Sequence, residues 1–588
     1  MGGLQMIMWH FALCLFCSPF VALTSGQMPN FAQESPFTDG IRISHVIHDK
    51  LKIHKDVSVV EEAIQAAAKL WGKHLKLRTK TDRNLLIPRK CNGEFELIDD
   101  QLICASECLQ SLQCGQYVVP STYLKGCEVH TADGYTEAAP DGTGLADVDF
   151  LVILELLTEE ECSGILTKPD SCSADFVTDR PVAGVIAVCP RMLSTAVEIT
   201  TNVFVRDLGH LLGINWERYR FFRDQNGVPR TRRIPKSNLP ATVSSETQSA
   251  ENPESFIMQA LNPDLPADLP LKTKGIITLP TVKEVVKHVF KAPNAVGLRV
   301  EPASITKPFQ IRFDPIITQD DIMATDLNDK SRISMLSLAF MYDTGWYHVS
   351  SANAERITWG YAAGDDFLST TCDEFMRIQK KAGKPLAPFC GWEQYNLPSC
   401  LPDHSGFGLC NIRESTEGNI EPPALNVQLK LRTYSGPEHP DKRCPIIKRS
   451  PDIRLANRLN DQCKLRVKET PQENYALEYF GSSSICVDHN QQAPLVFSKD
   501  VESIELDGYG ASCHYHVCEP MFGLRIHFGN KFVYCPLEGG PVVVEVNHGK
   551  IGKLSGSILC PPCPKICPEE NCQVGHPSVC PLSREDEA

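Results

Sequence analysis

The sequence predicts an α+β protein: an N-terminal part of sheet and helices, then a disulfide-rich part made mostly of strands and loops. Three observations lead there. At 588 residues the chain is too long for one hydrophobic core, so two to four domains or subdomains are expected. Helical runs and an apolar, acid-bounded strand occupy the first half. Of 25 cysteines, all but Cys14 and Cys17 follow residue 90, mostly between Cys91 and Cys189 and between Cys372 and Cys580.

The elements follow in order. Residues 1–26 contain a short apolar run ending in small residues, the pattern of a secretory signal peptide, although no Lys or Arg precedes it. A signal anchor is the rival reading. Residues 27–90 lack cysteine and carry the amphipathic run Val57–Trp71; they are expected to be a pro-region-like segment. Residues 91–215 are expected to form the first subdomain. They open with short strands and turns, continue through the buried strand Asp149–Leu157, and end in a helix carrying Arg206 and His210.

Residues 216–330 form a central part with a Pro-, Ser- and Glu-rich insert at 228–280. Arg230 to Arg233 offer a basic sequence that a processing protease could cut; an ordinary basic loop is the plainer reading. Thr281 to Glu284 have the capping-box pattern that starts a helix. Residues 331–588 are the cysteine-rich C-terminal part.

Composition narrows the function. A net charge of −14 argues against nucleic acid as a partner, because phosphates are bound by concentrated Lys and Arg. No stretch after the start approaches the roughly 20 apolar residues that span a bilayer. A secreted, extracellular protein is expected, with peripheral membrane association left open. Dense cysteine in that compartment reads as disulfides, and the odd total leaves a thiol free or paired between chains. His514 and His516 beside Cys513 and Cys518 suggest a metal site, but disulfide cysteines with exposed histidines are the simpler reading.

The functional signal is Phe204 to Gly213, which has the outline HExxHxxG. On a helix, positions i and i+4 share a face, so two imidazoles there can hold one Zn²⁺ while the Glu acts as general base. Here His210 and Gly213 stand at their positions, but Arg206 replaces the first His and Asp207 the Glu.

This sequence resembles the leishmanolysin family of metzincin zinc metalloproteases, including its animal invadolysin branch. The resemblance rests on further stretches: Asp179 to Gly184 with Cys189-Pro190; Tyr219 to Gly227; Asp321-Ile-Met323-Ala; Asp343 to Tyr347; Trp359-Gly360; and Cys513, Cys518, Cys535 and the Cys560–Cys572 cluster. It covers about residues 40–575. It implies a twisted sheet with the Arg206–His210 helix beneath it, and a Met-turn at Met323 flooring the metal site.

The resemblance also implies a zinc cofactor, which the departures oppose. A third His is expected some ten residues before the Met-turn; the segment holds none, and Arg312 takes the place. A guanidinium offers no lone pair and repels a dication. Asp207 is one methylene shorter than Glu. His288, the nearest upstream His, reads as an ordinary helix residue. Ile47-His48-Asp49 resembles the motif whose Cys caps zinc in the family's pro-peptide, with Val46 in place of that Cys. Ala292 and Asp365 stand at both ends of a family disulfide.

Three functions follow. The first is a non-catalytic homologue that binds a protein or peptide in the former active-site cleft, or serves adhesion, with zinc unbound. The second is an active zinc metalloendopeptidase with substitute ligands Asp207, His210 and Asp314 or Asp320. The third is a structural extracellular protein.

Overall fold

The computed structural model describes residues 39–79, 83–98, 101–132, 134–162, 165–240, 256–260, 273–301, 311–324, 332–350, 354–411, 445–449, 462–465, 474–499, 502–547 and 552–575. The signal peptide expected over residues 1–26 lies outside them.

The chain divides into two compact units, one over residues 27–357 with 364–369, the other over 370–588 with 358–363. The boundary expected at 331 therefore falls inside the first unit. The physical reason is that the helix Met335–Asp343 is apolar almost all round and buries eight of its nine residues there.

The first unit opens with strand β1 (Ile43–Ile47), helix α1 (Val57–His74) and the short strand β2 (Leu75–Leu77). Next come β3 (Phe150–Leu156), β4 (Thr167–Ala174), β5 (Pro181–Val188) and helix α2 (Val197–Leu212). The main sheet has the order β1-β3-β5-β4. β1, β3 and β5 run parallel, and β4 is antiparallel on the edge.

All eight residues of β5 are buried, as a strand covered on both faces requires. One face meets α2: a side chain at Gly184 would lie 2.8 Å from Leu211. The other face, with Leu151, Ile153, Ala183 and Val185, packs against Ile87, Leu112, Val119 and Leu124. That covering layer belongs to the cystine-rich stretch, where Cys91–Cys104, Cys108–Cys127 and Cys114–Cys172 pair.

The segment expected as a separate pro-region, residues 27–90, is built into this unit from β1 onward. β1 supplies a parallel edge strand with Val46 opposite Ile153. α1 buries Val60, Ala63, Ile64, Ala67 and Trp71, and the Trp71 indole donates to the Val205 carbonyl at 2.8 Å. The amphipathic run thus packs on α2 and β1.

Further along lie β6 (Phe256–Ala260), β7 (Thr273–Ile277), helix α3 (Pro280–Phe290), β8 (Leu298–Val300), helix α4 (Met335–Asp343) and β9 (Tyr347–Val349). β6, β7 and β8 form an antiparallel sheet, so the expected Pro/Ser-rich insert contributes two strands.

The capping box expected at Thr281 does not form. α3 starts at Pro280, and its first turn is capped from a distance by Asp343. That carboxylate accepts from the Thr281 N–H (2.8 Å) and hydroxyl (2.6 Å) and from the Val282 N–H (3.1 Å). Arg233 is equally committed: its guanidinium meets Asp179 at 3.0 Å and lies over the Phe221 ring, and Arg223 shares the same carboxylate.

The second unit is mostly β. Its large antiparallel sheet comprises β10 (Ser484–His489), β11 (Val496–Lys499), β12 (Glu502–Glu505), β13 (Ala511–Glu519), β14 (Gly523–Phe528), β15 (Lys531–Tyr534), β16 (Gly540–Asn547) and β17 (Lys553–Cys560). Disulfides hold it, among them Cys390–Cys410, Cys400–Cys486, Cys463–Cys513, Cys518–Cys567, Cys535–Cys560 and Cys563–Cys572, and Cys372 is disulfide-bonded as well. Cys513 and Cys518 are thus disulfide cysteines, and His514 is a core residue bonded to the Ser512 hydroxyl at 2.7 Å. Cys444 and Cys580 lie outside the described residues.

Candidate functional site: the Arg206–His210 helix

α2 carries the site because its sequence favours burial of one end. Val203, Phe204, Val205, Leu208, Leu211 and Leu212 are all buried and fix the helix against the sheet and α1. Gly209 is required by close approach: a side chain there would stand 2.8 Å from the Met323 sulfur and 3.1 Å from Trp71. Met323 is therefore pressed against the helix beside His210. Gly213 ends the helix at φ 155°, where a side chain would meet Thr344 and Trp346 at 3.2 Å.

His210 is fully buried. Its Nδ1 lies 2.8 Å from the Ile214 carbonyl, which can only accept, so Nδ1 carries the proton. Burial holds the imidazole neutral, pushing its pKa down to about 3; the Ile214 carbonyl opposes this, and Arg206 and Arg312 add to it. The lone pair of Nε2 remains, buried and without a hydrogen-bond partner. This is the tautomer a metal-ligating His adopts.

Asp207 is also fully buried, with the Thr167 side chain as its hydrogen-bonding neighbour. Burial raises its pKa, offset by Arg206, the Thr167 side chain beside it on β4, and Arg312. The Arg206 Nε stands 3.9 Å from Asp207 Oδ1. Arg312, half-buried, acts electrostatically on both Asp207 and His210.

The turn at Met323 is held by Asp321. Its carboxylate accepts from the Met323 N–H at 2.7 Å and from the Ser337 hydroxyl at 2.8 Å, and it also accepts from the Ser334 hydroxyl. Burial pushes the Asp321 pKa up to about 6. Sequence reasoning found Met323 but missed this clamp, and it missed Thr167 and Trp71; all three lie far from the motif in sequence.

Other expected participants stand elsewhere. Val46 pairs with Ile153 and packs with the Ile153/Val185 face of the sheet, whereas the alternate face, marked by Gly184, meets α2. Successive strand residues point to opposite faces, so Val46 is across the sheet from His210 and does not stand at a metal-capping position. Asp314 is taken by Arg299 in a buried ion pair at 2.7 Å and caps the Ile316 N–H. His288 sits half-buried on α3.

Ala292 and Asp365, expected at the two ends of a family disulfide, belong to segments that are tied together. Asp365 accepts from the Asn294 N–H and side-chain amide, both at 3.0 Å, and the Gly364 N–H donates to the Phe290 carbonyl at 2.8 Å.

These features define a buried helix site in which a neutral His210 and Asp207 lie under the influence of Arg206 and Arg312. Residues 96–574 match the leishmanolysin family, and the chain belongs to it. It is 24% identical over 539 residues to the leishmanolysin-like peptidase of Drosophila melanogaster, covering 87% of this chain and 77% of that one. The leishmanolysin-like peptidase of Caenorhabditis elegans is 24% identical over 544 residues, 87% of this chain and 80% of the relative. Leishmanolysin of Leishmania donovani is 20% identical over 463 residues, 77% and 64% of the two chains.

The family is zinc-dependent. The residues present do not fit that ion. A catalytic zinc takes three protein donors and keeps one open position. Here Arg206 and Arg312 bring guanidinium groups to Asp207 and His210, the metal-type side chains of this part of α2. Among the described residues, the one group of three metal-type side chains close enough to share an ion is Cys104, Cys108 and Cys127, all in disulfides. Among the described residues no helix is long and apolar enough to cross a membrane.

Proposed function

We propose that this chain is a secreted leishmanolysin-family protein that binds protein or peptide ligands without hydrolysing them. The observation that carries the reading is the exchange of cation type at the centre: Arg206 and Arg312 act on Asp207 and His210 where the family uses zinc. A guanidinium is charged at every accessible pH, polarises no water to hydroxide and leaves no lone pair for a metal. The rest of a peptide-binding architecture supports the reading. β4 is an antiparallel edge strand, its start lies beside Asp207, and an edge strand pairs with an extended peptide through its main chain. Adhesion or shielding of another protease's substrate are roles such binding would serve.

One observation favours the second reading, an active zinc metalloendopeptidase: His210 keeps the ligand tautomer with Nε2 unpartnered. The test is elemental analysis of the secreted protein together with a casein digest. The binding reading expects near-zero zinc and no digestion. One zinc per chain that survives chelator dialysis, with casein cleavage blocked by 1,10-phenanthroline, would replace it with the second.

A further inference from the structure

Outside the former zinc site, the densest chemistry in the first unit is a group of four cysteines. Cys91 pairs with Cys104, and Cys108 pairs with Cys127. Yet the sulfurs of Cys104, Cys108 and Cys127 all lie within 4.8 Å of one another, so each disulfide stands within reach of a sulfur from the other.

The backbone register supplies a second observation. Cys91 and Cys108 are direct partners in the short antiparallel ladder Cys91–Asn92 with Glu107–Cys108. The Leu109 N–H donates to the Lys90 carbonyl at 2.9 Å, which makes 90 and 109 the hydrogen-bonded pair. Pairs alternate along such a ladder, so Cys91 and Cys108 form the closer, non-hydrogen-bonded pair, with a Cα separation of about 4.5 Å. That lies inside the window a disulfide accepts, about 4.4–6.8 Å. The register thus suits a 91–108 bond, and the Cys104 and Cys127 sulfurs lie within 4.8 Å of one another, which puts a second pairing, 91–108 with 104–127, within reach of the first.

Access distinguishes the four. Cys104, Cys108 and Cys127 are buried at 0%, 1% and 2% exposure, whereas Cys91 is half-buried. An incoming nucleophile meets Cys91 first.

We propose that Cys91 is a modification site for a small external thiol of the glutathione class, and that its attack exchanges the disulfides of this cluster. The thiolate attacks Cys91 Sγ; the new bond is a mixed disulfide on Cys91, the 91–104 bond breaks, and Cys104 leaves as thiolate. Cys104 then attacks Cys127 Sγ, forming 104–127 and releasing the Cys108 thiolate. Cys108, facing Cys91 across the ladder, attacks the Cys91 sulfur, forming 91–108 and returning the external thiol. Three bonds form and three break, there is no net oxidation or reduction, and the thiol is regenerated. The exchange alters which strands of the covering layer are tied together, and it does not depend on the binding reading above.

The experiment is disulfide mapping of the full-length secreted protein. It is digested without reduction after acid quench and alkylation, before and after anaerobic incubation with reduced glutathione below stoichiometry. Peptides joined 91–104 and 108–127 are expected before, with 91–108 and 104–127 appearing after, and total free thiol unchanged. In Cys108→Ser/Cys127→Ser the sequence has no second disulfide to attack, so Cys104 returns to Cys91 and the 91–104 linkage alone is expected before and after incubation. If that variant does not fold, timed quenching of the wild type serves, with the Cys91 mixed disulfide expected as a transient. The proposal is overturned if the unmutated chain shows one pairing alone before and after incubation, or if its Cys91 never carries glutathione.

Discussion

Exchanging the two arginines for histidines is expected to return a zinc site to this helix. A zinc ion bound to His210 Nε2 would stand about 2 Å from that nitrogen. Arg206 is one helical turn earlier on the same face, where side chains begin about 5–6 Å apart. Two positive charges on the metal and one on a guanidinium about 5 Å away repel by about 7 kcal/mol at an effective dielectric of about 20. That alone weakens a dissociation constant by about five powers of ten. Arg312 adds a term of the same sign, because it acts on the same two side chains. Arg206→His with Arg312→His removes both repulsions and supplies two imidazoles beside one already in ligand form. Zinc at about 100 times its dissociation constant should then stabilise the folded variant by about 3 kcal/mol. The readouts are zinc content after chelator dialysis and melting temperature with and without added zinc. Arg312→His alone is expected to bind none, since Arg206 stays. A folded double variant that gains no zinc would refute the placement of Arg312 at the third position. Zinc retained by the unmutated chain would refute the electrostatic argument itself.

Two further outcomes follow from the turn that carries Met323. Asp321 has its pKa raised from 3.8 to about 6, so the folded state holds its proton over a window in which the unfolded chain has lost it, and stability falls as pH rises from about 4 to 6. The full contribution is about 3 kcal/mol; Asp321→Asn should therefore gain stability relative to the unmutated chain across that window, and parallel melting-temperature profiles against pH would contradict this. Gly209→Ala brings a methyl to 2.8 Å from the Met323 sulfur and 3.1 Å from Trp71. It should cost about 1–3 kcal/mol from overpacking, less about 1 kcal/mol of helix propensity, and pairing it with Met323→Ala should recover most of the loss in thermal unfolding.

The sequence made the zinc helix legible because its information is local. The i, i+4 spacing of Arg206 and His210 needs no tertiary structure to read, and the type of each side chain settles what it can ligate. Arg312 was singled out by its distance from Met323 along one segment, and it acts on Asp207 and His210. The failures share the opposite property. Val46 matched a motif in letters, but Ile43, Val46 and Ile47 are also what a parallel edge strand requires, and only the pairing with Ile153 decides between them. The capping box at Thr281 was a sound local pattern defeated by Asp343, a carboxylate 62 residues away in sequence. Asp365 was read as a missing cysteine, while its bonds to Asn294 could not be inferred from the loss.

These cases bear on what the Arg206–His210 site is. A site decaying without constraint would be expected to lose its supports along with its ligands, since buried polar groups are costly unless something holds them. Here the supports persist. Gly209 still admits Met323, Asp321 still gathers Ser334, Ser337 and the Met323 N–H, and His210 is still oriented by the Ile214 carbonyl. Asp207 is the buried charge such a centre can least leave alone, and Arg206 and Arg312 supply the opposing charge. Arg206 and Arg312 favour the ionised form of Asp207 against a burial that raises its pKa. The substitutions at Arg206 and Arg312 are thus coupled: either arginine reverted alone would leave the other to oppose a metal while removing part of what steadies Asp207.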